Sequence, residues 1–198
     1  ARRFKSLKPT HSVLYTHEMK NGKKVPVDIT KYPISEKYLL KNKEILSNRN
    51  YIQRAKRNWY EIWVPQQPDN WKKIKLVFPD ISEKPIFWIS LEDEIIQGNC
   101  YWLISDKNDD DLLWLAVGIG NSTFIEKFYD VNFNNKLYAG RRRFMTQYVE
   151  KFPLPNPESE MAKQIILLAK KIYSCIDAEN TVDMQSELDR LVYKAFGL

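Results

Sequence analysis

The sequence predicts an α+β fold: a mixed, mostly antiparallel sheet with packed helices and a C-terminal antiparallel helical pair. Two observations carry this. Short β-type runs at 73–78, 86–89 and 99–104 follow one another in the middle of the chain. Beyond them, apolar residues recur every three to four positions, the spacing of one helix face. Strands and helices thus occupy different stretches, the pattern of an α+β layer arrangement.

The elements follow in order. Residues 12–19 alternate weakly, then Asn21-Gly22 precedes a second run at 23–28. Asn-Gly between two such runs is the strongest short hairpin signal, because both turn positions need positive φ. Tyr32-Pro33 breaks the chain. One helix is expected over 37–52, with Tyr38, Leu39, Ile45, Leu46 and Ile52 as its apolar positions and Lys41, Lys43 and Arg49 on other faces. Residues 59–64 read as a strand or a short helix end, and 65–70 as a loop. The strand at 73–78 is ended by Pro79-Asp80. Residues 106–111 are an acidic turn and helix start, where negative charge suits the dipole. One helix is then expected over 112–128, weakened or kinked by Gly118 and Gly120. A strong helix carries Met161, Ile165, Leu168 and Ile172. A second carries Met184, Leu188, Leu191 and Ala195 and stops at Gly197.

At 198 residues, with 43% apolar content and 11 Tyr, 9 Phe and 6 Trp, the chain has ample material for a core. Trp59, Trp63, Trp88 and Trp102 are expected in that core. Six glycines and no low-complexity tract argue against disorder. No apolar run approaches a membrane span and no signal-peptide core is present, so the expected location is the cytoplasm. Cys100 and Cys175 are expected as buried thiols in a reducing compartment. An opening Ala1-Arg2-Arg3 without Met reads as a piece of a longer protein.

The net charge of +6 hides an asymmetry. Residues 1–75 hold 18 Lys and Arg against 6 Asp and Glu, a net of +12; residues 76–198 hold 13 against 19, a net of −6. A basic half is the electrostatic footprint of a polyanion partner. A solvated surface is the bland reading of any charge run, but a split this large favours nucleic acid.

Catalytic patterns are absent. His11 and His17 stand outside any Gly-x-Ser-x-Gly or catalytic cysteine context and read as surface or packing residues. Two histidines leave almost no room for a Cys/His zinc site. No phosphate-cradling glycine loop occurs, and Gly118-Ile-Gly120 lacks the third glycine of a dinucleotide fingerprint. Pro79-Asp80 resembles the opening of a metal-dependent nuclease motif, but no downstream acid with a lysine two residues on completes it. Asp80 therefore reads as a turn residue or cap, and Asp109-Asp110-Asp111 as a helix start.

The stretch Tyr138-Ala-Gly-Arg-Arg-Arg-Phe-Met-Thr-Gln-Tyr148, leading into Phe152-Pro-Leu-Pro155, is the most informative. Arginine is the side chain best suited to bidentate contact with phosphates and guanine edges. Arg141, Arg142 and Arg143 are the leading DNA contacts. Three adjacent arginines on a strand cannot face one way, so one or two should reach DNA and another should pair with an acid. Lys72, Lys73 and Lys75 flank a strand and could approach a backbone, while Lys56 and Arg57 precede Trp59. Asn99 and Gln147 are weaker candidates for adenine edges.

The order of segments carries a resemblance. Tyr32-Pro33, Tyr38-Leu-Leu, residues 46–49 and Trp59-Tyr60 open it. Lys75-Leu-Val-Phe-Pro-Asp-Ile81, Asn99-Cys-Tyr-Trp-Leu-Ile104 and Asn121-Ser122 follow, and Arg143-Phe-x-x-Gln-Tyr-x-x-x-Phe-Pro-Leu-Pro155 closes the domain. Leu188-Asp-Arg-Leu-Val-Tyr193 with Gly197-Leu198 resembles the family's tail helix. Together they resemble the TaqI-like specificity domain, the C-terminal target recognition domain of adenine-specific DNA methyltransferases and fused type IIG restriction-modification enzymes. The resemblance implies a DNA target recognition domain over 1–155, a helical pair over 156–198 packed on it, and double-stranded DNA as partner. It also implies a catalytic methyltransferase domain elsewhere in the parent chain, which takes up the flipped adenine and uses S-adenosylmethionine. No cofactor is expected in the present chain, which would be the reader without the writer. An RNA- or single-strand-binding module, or a protein-interaction domain, are the alternatives; the usual stacking motifs of the former are missing.

Overall fold

Two units make up the chain. The structure, a computed structural model, describes residues 2–91, 93–96, 98–107, 109–133 and 136–198. Pro9–Trp71 forms one unit; the chain up to Lys8 and the chain from Lys72 to Leu198 form the other. Strand β1 (Phe4–Lys5) belongs to the larger unit.

In the smaller unit, β2 (His17–Lys20) and β3 (Lys23–Pro26) make the expected hairpin, with Lys20 opposite Lys23. Asn21 and Gly22 both take positive φ, 52° and 73°, as this tight turn requires. The single helix expected over 37–52 is instead three short ones: α1 (Pro33–Leu40), α2 (Lys43–Ser47) and α3 (Asn50–Ala55). The backbone leaves helical geometry at Asn42 and at Arg49. Asparagine favours turns over helix interiors, and no residue of α1 or α2 is buried to hold a longer helix together. Arg49 secures the second corner by donating to the carbonyls of Leu46 (2.8 Å) and Trp59 (2.7 Å).

Residues 59–64 are turns, not a strand or helix. The Arg57 guanidinium donates to the Ile62 (3.1 Å) and Trp63 (2.7 Å) carbonyls that a neighbouring strand would otherwise use. Trp63 is 62% exposed, against the expectation of a core residue, while Trp88 is buried and Trp59 and Trp102 are half-buried. His17 is buried, with Nε2 3.3 Å from Glu61 Oε2. Its pKa lies below the ordinary value because burial disfavours the charged ring more than Glu61 favours it.

The larger unit is built on β4 (Lys75–Pro79), whose Leu76-Val77-Phe78 run is fully buried. β5 (Ile81–Ser82) follows, then β6 (Trp88–Ser90) and β7 (Cys100–Leu103). The sheet order is β1-β6-β4-β7, with β1 and β6 parallel and the other pairs antiparallel. This is the mixed, mostly antiparallel sheet the sequence predicts.

Two helices replace the one expected over 112–128: α4 (Asp110–Gly120) and α5 (Thr123–Asn132). Asp109 caps the first through Leu112 N–H (3.1 Å), and Ser122 caps the second through Ile125 N–H (3.2 Å). Between them, the Asn121 side chain accepts from Phe87 N–H (2.9 Å) and donates to Phe87 C=O (2.8 Å). It satisfies both backbone groups of Phe87, as a neighbouring strand would. The glycines of α4 serve packing: a Cβ on Gly118 would lie 2.7 Å from Ile165, and one on Gly120 2.9 Å from Phe87.

β8 (Arg142–Arg143) pairs antiparallel with β5, and α6 (Thr146–Val149) follows. α7 (Glu160–Cys175) and α8 (Val182–Ala195) form the C-terminal pair. Their buried faces, including Ile165, Ala169, Leu188 and Val192, share one core with α4 and the main sheet. Cys100 and Cys175 are free but half-exposed, not buried as expected. Among the described residues no helix is long and apolar enough to cross a membrane.

Candidate nucleic-acid interface

The arginine segment is a turn followed by a strand. Lys136 bridges Arg142, Leu137 N–H donates to Arg141 C=O (2.7 Å), and Tyr138–Gly140 forms the turn. Ala139 and Gly140 both take positive φ, 57° and 70°. Glycine is at ease there; alanine is not, because its Cβ crowds the backbone. The turn presents Tyr138, 78% exposed, with the exposed Arg141 guanidinium 5.6 Å above its ring.

Strand alternation then separates the next two arginines. Arg142 is buried. Its Nε meets Asp130 Oδ1 at 2.7 Å, a second nitrogen meets Asp130 Oδ2 at 2.8 Å, and the same nitrogen lies 3.0 Å from Glu126 Oε1. Arg142 also donates to the Glu83 carbonyl. The Asp130 hydrogen bond drives the guanidinium pKa above its ordinary value, and Arg142 holds the Asp130 carboxyl below its own. Lys136 adds a 3.0 Å contact to Asp130. Arg142 is therefore the buried arginine, paired with two acids of α5.

Arg143 faces the other way and is exposed. Its Nε lies 3.2 Å from Asp80 Oδ1. Asp80 joins β4 to β5 and links neighbouring segments: its N–H donates to Asn99 C=O (2.7 Å) and its C=O accepts from Phe144 N–H (2.6 Å). Buried Tyr129 donates its hydroxyl to Arg143 C=O (2.7 Å), and buried Phe144 packs on the same ring. The strand carrying Arg143 is thus held from both sides.

The remaining candidates scatter. Lys72 and Lys73 are exposed ahead of β4, whereas Lys75 is fully buried with Nζ donating to Lys73 C=O (3.1 Å). Burial lowers the Lys75 pKa, offset in part by Glu94 and Asp93. Asn99 and Gln147 are exposed. In the smaller unit, Lys56 is exposed at the left-handed end of α3, and Arg57 is engaged with the Ile62 and Trp63 carbonyls. Sequence reasoning did not find Asp130 and Glu126 as partners of Arg142. Their spacing of four on one helix, which puts both carboxylates on one face, was the available signal.

The chain is thus an α+β module that displays arginines from an edge strand clamped by half-buried acids. It belongs to the TaqI-like C-terminal specificity domain family, whose model matches residues 25–154. It is 44% identical over 188 residues to the type II methyltransferase M.BanIII of Aneurinibacillus aneurinilyticus, covering 94% of this chain and 32% of that protein. It is 28% identical over 175 residues to the type II methyltransferase M.MjaIV of Methanocaldococcus jannaschii, covering 84% and 56%. With the type II methyltransferase M.PaeR7I of Pseudomonas aeruginosa it shares 25% identity over 129 residues, 65% of this chain and 22% of that one. The chain therefore spans about a third of the first relative and just over half of the second.

Proposed function

We propose that this chain is the duplex-DNA target recognition domain of an adenine-specific DNA methyltransferase. One observation carries the reading: Arg141 and Arg143 stand exposed on either side of a buried, doubly paired Arg142. Arg142 holds the strand, Arg141 is exposed at the turn, and exposed Arg143, held by Asp80, can exchange that carboxylate for a phosphate or base edge. Family membership and the names of the relatives support the same reading. Residues 1–155 form the recognition domain, and the helical pair 156–198 packs on it. The methyltransferase domain lies elsewhere in the parent and uses S-adenosylmethionine; a parent of the fused type also carries an endonuclease. Both act in the cytoplasm.

The test is duplex binding across a salt series. Removing Arg141 and Arg143 together should weaken binding about tenfold or more and reduce the slope of log affinity against log salt by about 2. An unchanged slope in the Arg141→Ala, Arg143→Ala double variant overturns the role of this strand. Absence of any salt-dependent duplex binding by the intact parent enzyme overturns the whole reading.

A further inference from the structure

The smaller unit holds a second feature that the arginine strand does not explain. Asn50, Tyr51, Arg54, Ala55, Arg57 and Trp63 line an open cleft of about 500 Å³. That is within the range of small-ligand sites. Its walls are two aromatic rings, Tyr51 and Trp63, with centroids 4.8 Å apart and planes at 72°. The Tyr51 ring and the Trp63 backbone are both held. Arg49 lies 4.9 Å from the Tyr51 ring and also donates to its hydroxyl. Arg57 holds the Trp63 backbone, as above. Trp63 nevertheless remains 62% exposed. A large, uncovered indole packed edge-on against Tyr51 is a stacking platform for a flat ring. Arg54 lines the same cleft, and among the described residues no hydrogen bond or ion pair involves its side chain.

We infer that this corner binds one nucleotide, its base stacked on Trp63 and its phosphate paired with Arg54. The combination of aromatic face and guanidinium suits an unpaired base, since every base has a π-face and a backbone phosphate beside it. An unpaired base within bound DNA is the natural source, a step that rests on the duplex-DNA reading above. A free mononucleotide has the same chemistry, so the two sources need separate experiments.

The first uses deoxyadenosine 5′-monophosphate, watched through the indole N–H signals, with the Trp63 signal assigned from a Trp63→Phe variant. The Trp63 signal should move saturably. Arg54→Ala should weaken that binding about tenfold, and Trp63→Ala, read by isothermal titration calorimetry, about as much. Ribose 5-phosphate and deoxyadenosine should each bind more weakly than the nucleotide. A still Trp63 signal, or equal binding of ribose 5-phosphate, overturns the inference. The second compares a perfect duplex with one carrying a single unpaired adenosine. The chain should prefer the latter about tenfold, and Trp63→Ala should abolish that preference while leaving perfect-duplex binding unchanged. Nucleotide binding without any duplex binding would sink the duplex reading and leave the pocket standing; duplex binding with no nucleotide response or preference would do the reverse. Far-UV circular dichroism of both variants guards against misfolding.

Discussion

Arg142 and Asp130 form a bidentate pair, 2.7 and 2.8 Å, between an edge strand and the helix α5 packed beside it. The guanidinium is shielded and the carboxylate only partly so, which makes the pair neither a surface bridge nor a fully desolvated one. Breaking such a pair leaves charge without a partner in a poorly hydrated place. Arg142→Ala should destabilise the chain by about 2–4 kcal/mol, read from urea midpoints. Arg142→Lys should recover only part of it, since lysine cannot present two parallel donors. Full stability in Arg142→Ala would show that Lys136 alone satisfies Asp130.

The same pair sets an acid limit. The folded Asp130 carboxyl lies below its ordinary 3.8, chiefly through Arg142. Its charged form is therefore favoured in the fold. The stabilisation is present above 3.8 and is lost as pH falls through the folded value. Asp130→Asn should flatten stability against pH in this acid range. His17 acts in a higher window. Burial lowers its pKa from 6.5, so protonation favours the unfolded chain and stability drops as pH falls below 6.5. His17→Gln should remove the component just below pH 6.5 and leave the acid one.

Gly118 tests close packing against helix propensity. Alanine at a helical glycine usually gains about 1 kcal/mol. Here the new methyl would meet Ile165 Cγ2 at 2.7 Å, inside the packed core. Overpacking costs about 1–3 kcal/mol. Gly118→Ala should therefore destabilise or at best break even. In an Ile165→Ala background, where that atom is gone, the same change should become stabilising. A double-mutant cycle with no coupling would refute the contact.

Asn121 tests the break between α4 and α5. Asn121→Ala strands the buried Phe87 N–H, at a cost of about 1–3 kcal/mol, while the Phe4 N–H (2.8 Å) still serves the Phe87 carbonyl. Asn121→Asp should rescue little: it can accept from Phe87 N–H, but it buries a carboxylate oxygen against the Phe87 and Val117 carbonyls to which the amide donates. Thermal melts of the two variants within a degree of the parent would contradict this role.

Ala139 sits at a left-handed turn position before Gly140. Asn-Gly is the preferred pair for two adjacent positive φ values. Ala139→Asn should stabilise the chain by about 1 kcal/mol, with duplex affinity equal to or above that of the parent. A loss of stability would mean that the turn tip draws on the alanine methyl for packing.

Much of the architecture is legible in the chain. The Asn21-Gly22 hairpin, the buried run at Leu76–Phe78, the Asp109 helix start and the two C-terminal helices all follow from local rules. Turn chemistry and a period of two or 3.6 act over a few residues, so they survive in sequence alone. Where helices stop is less legible. The apolar pattern over 112–128 continues through Asn121-Ser122, and only the backbone of Phe87, 34 residues earlier, makes that asparagine a break.

By itself, the sequence determined the family, the α+β class, the basic first half and the place of the three arginines between a turn and Pro153. Local composition and segment order suffice for these. Only the tertiary structure decided which arginine is which. Arg141 sits on a turn, Arg142 is buried against acids from α5, and Arg143 lies outside beside Asp80. Their chemistry is identical; what separates them is strand alternation and the distant carboxylates that folding brings within 3.2 Å.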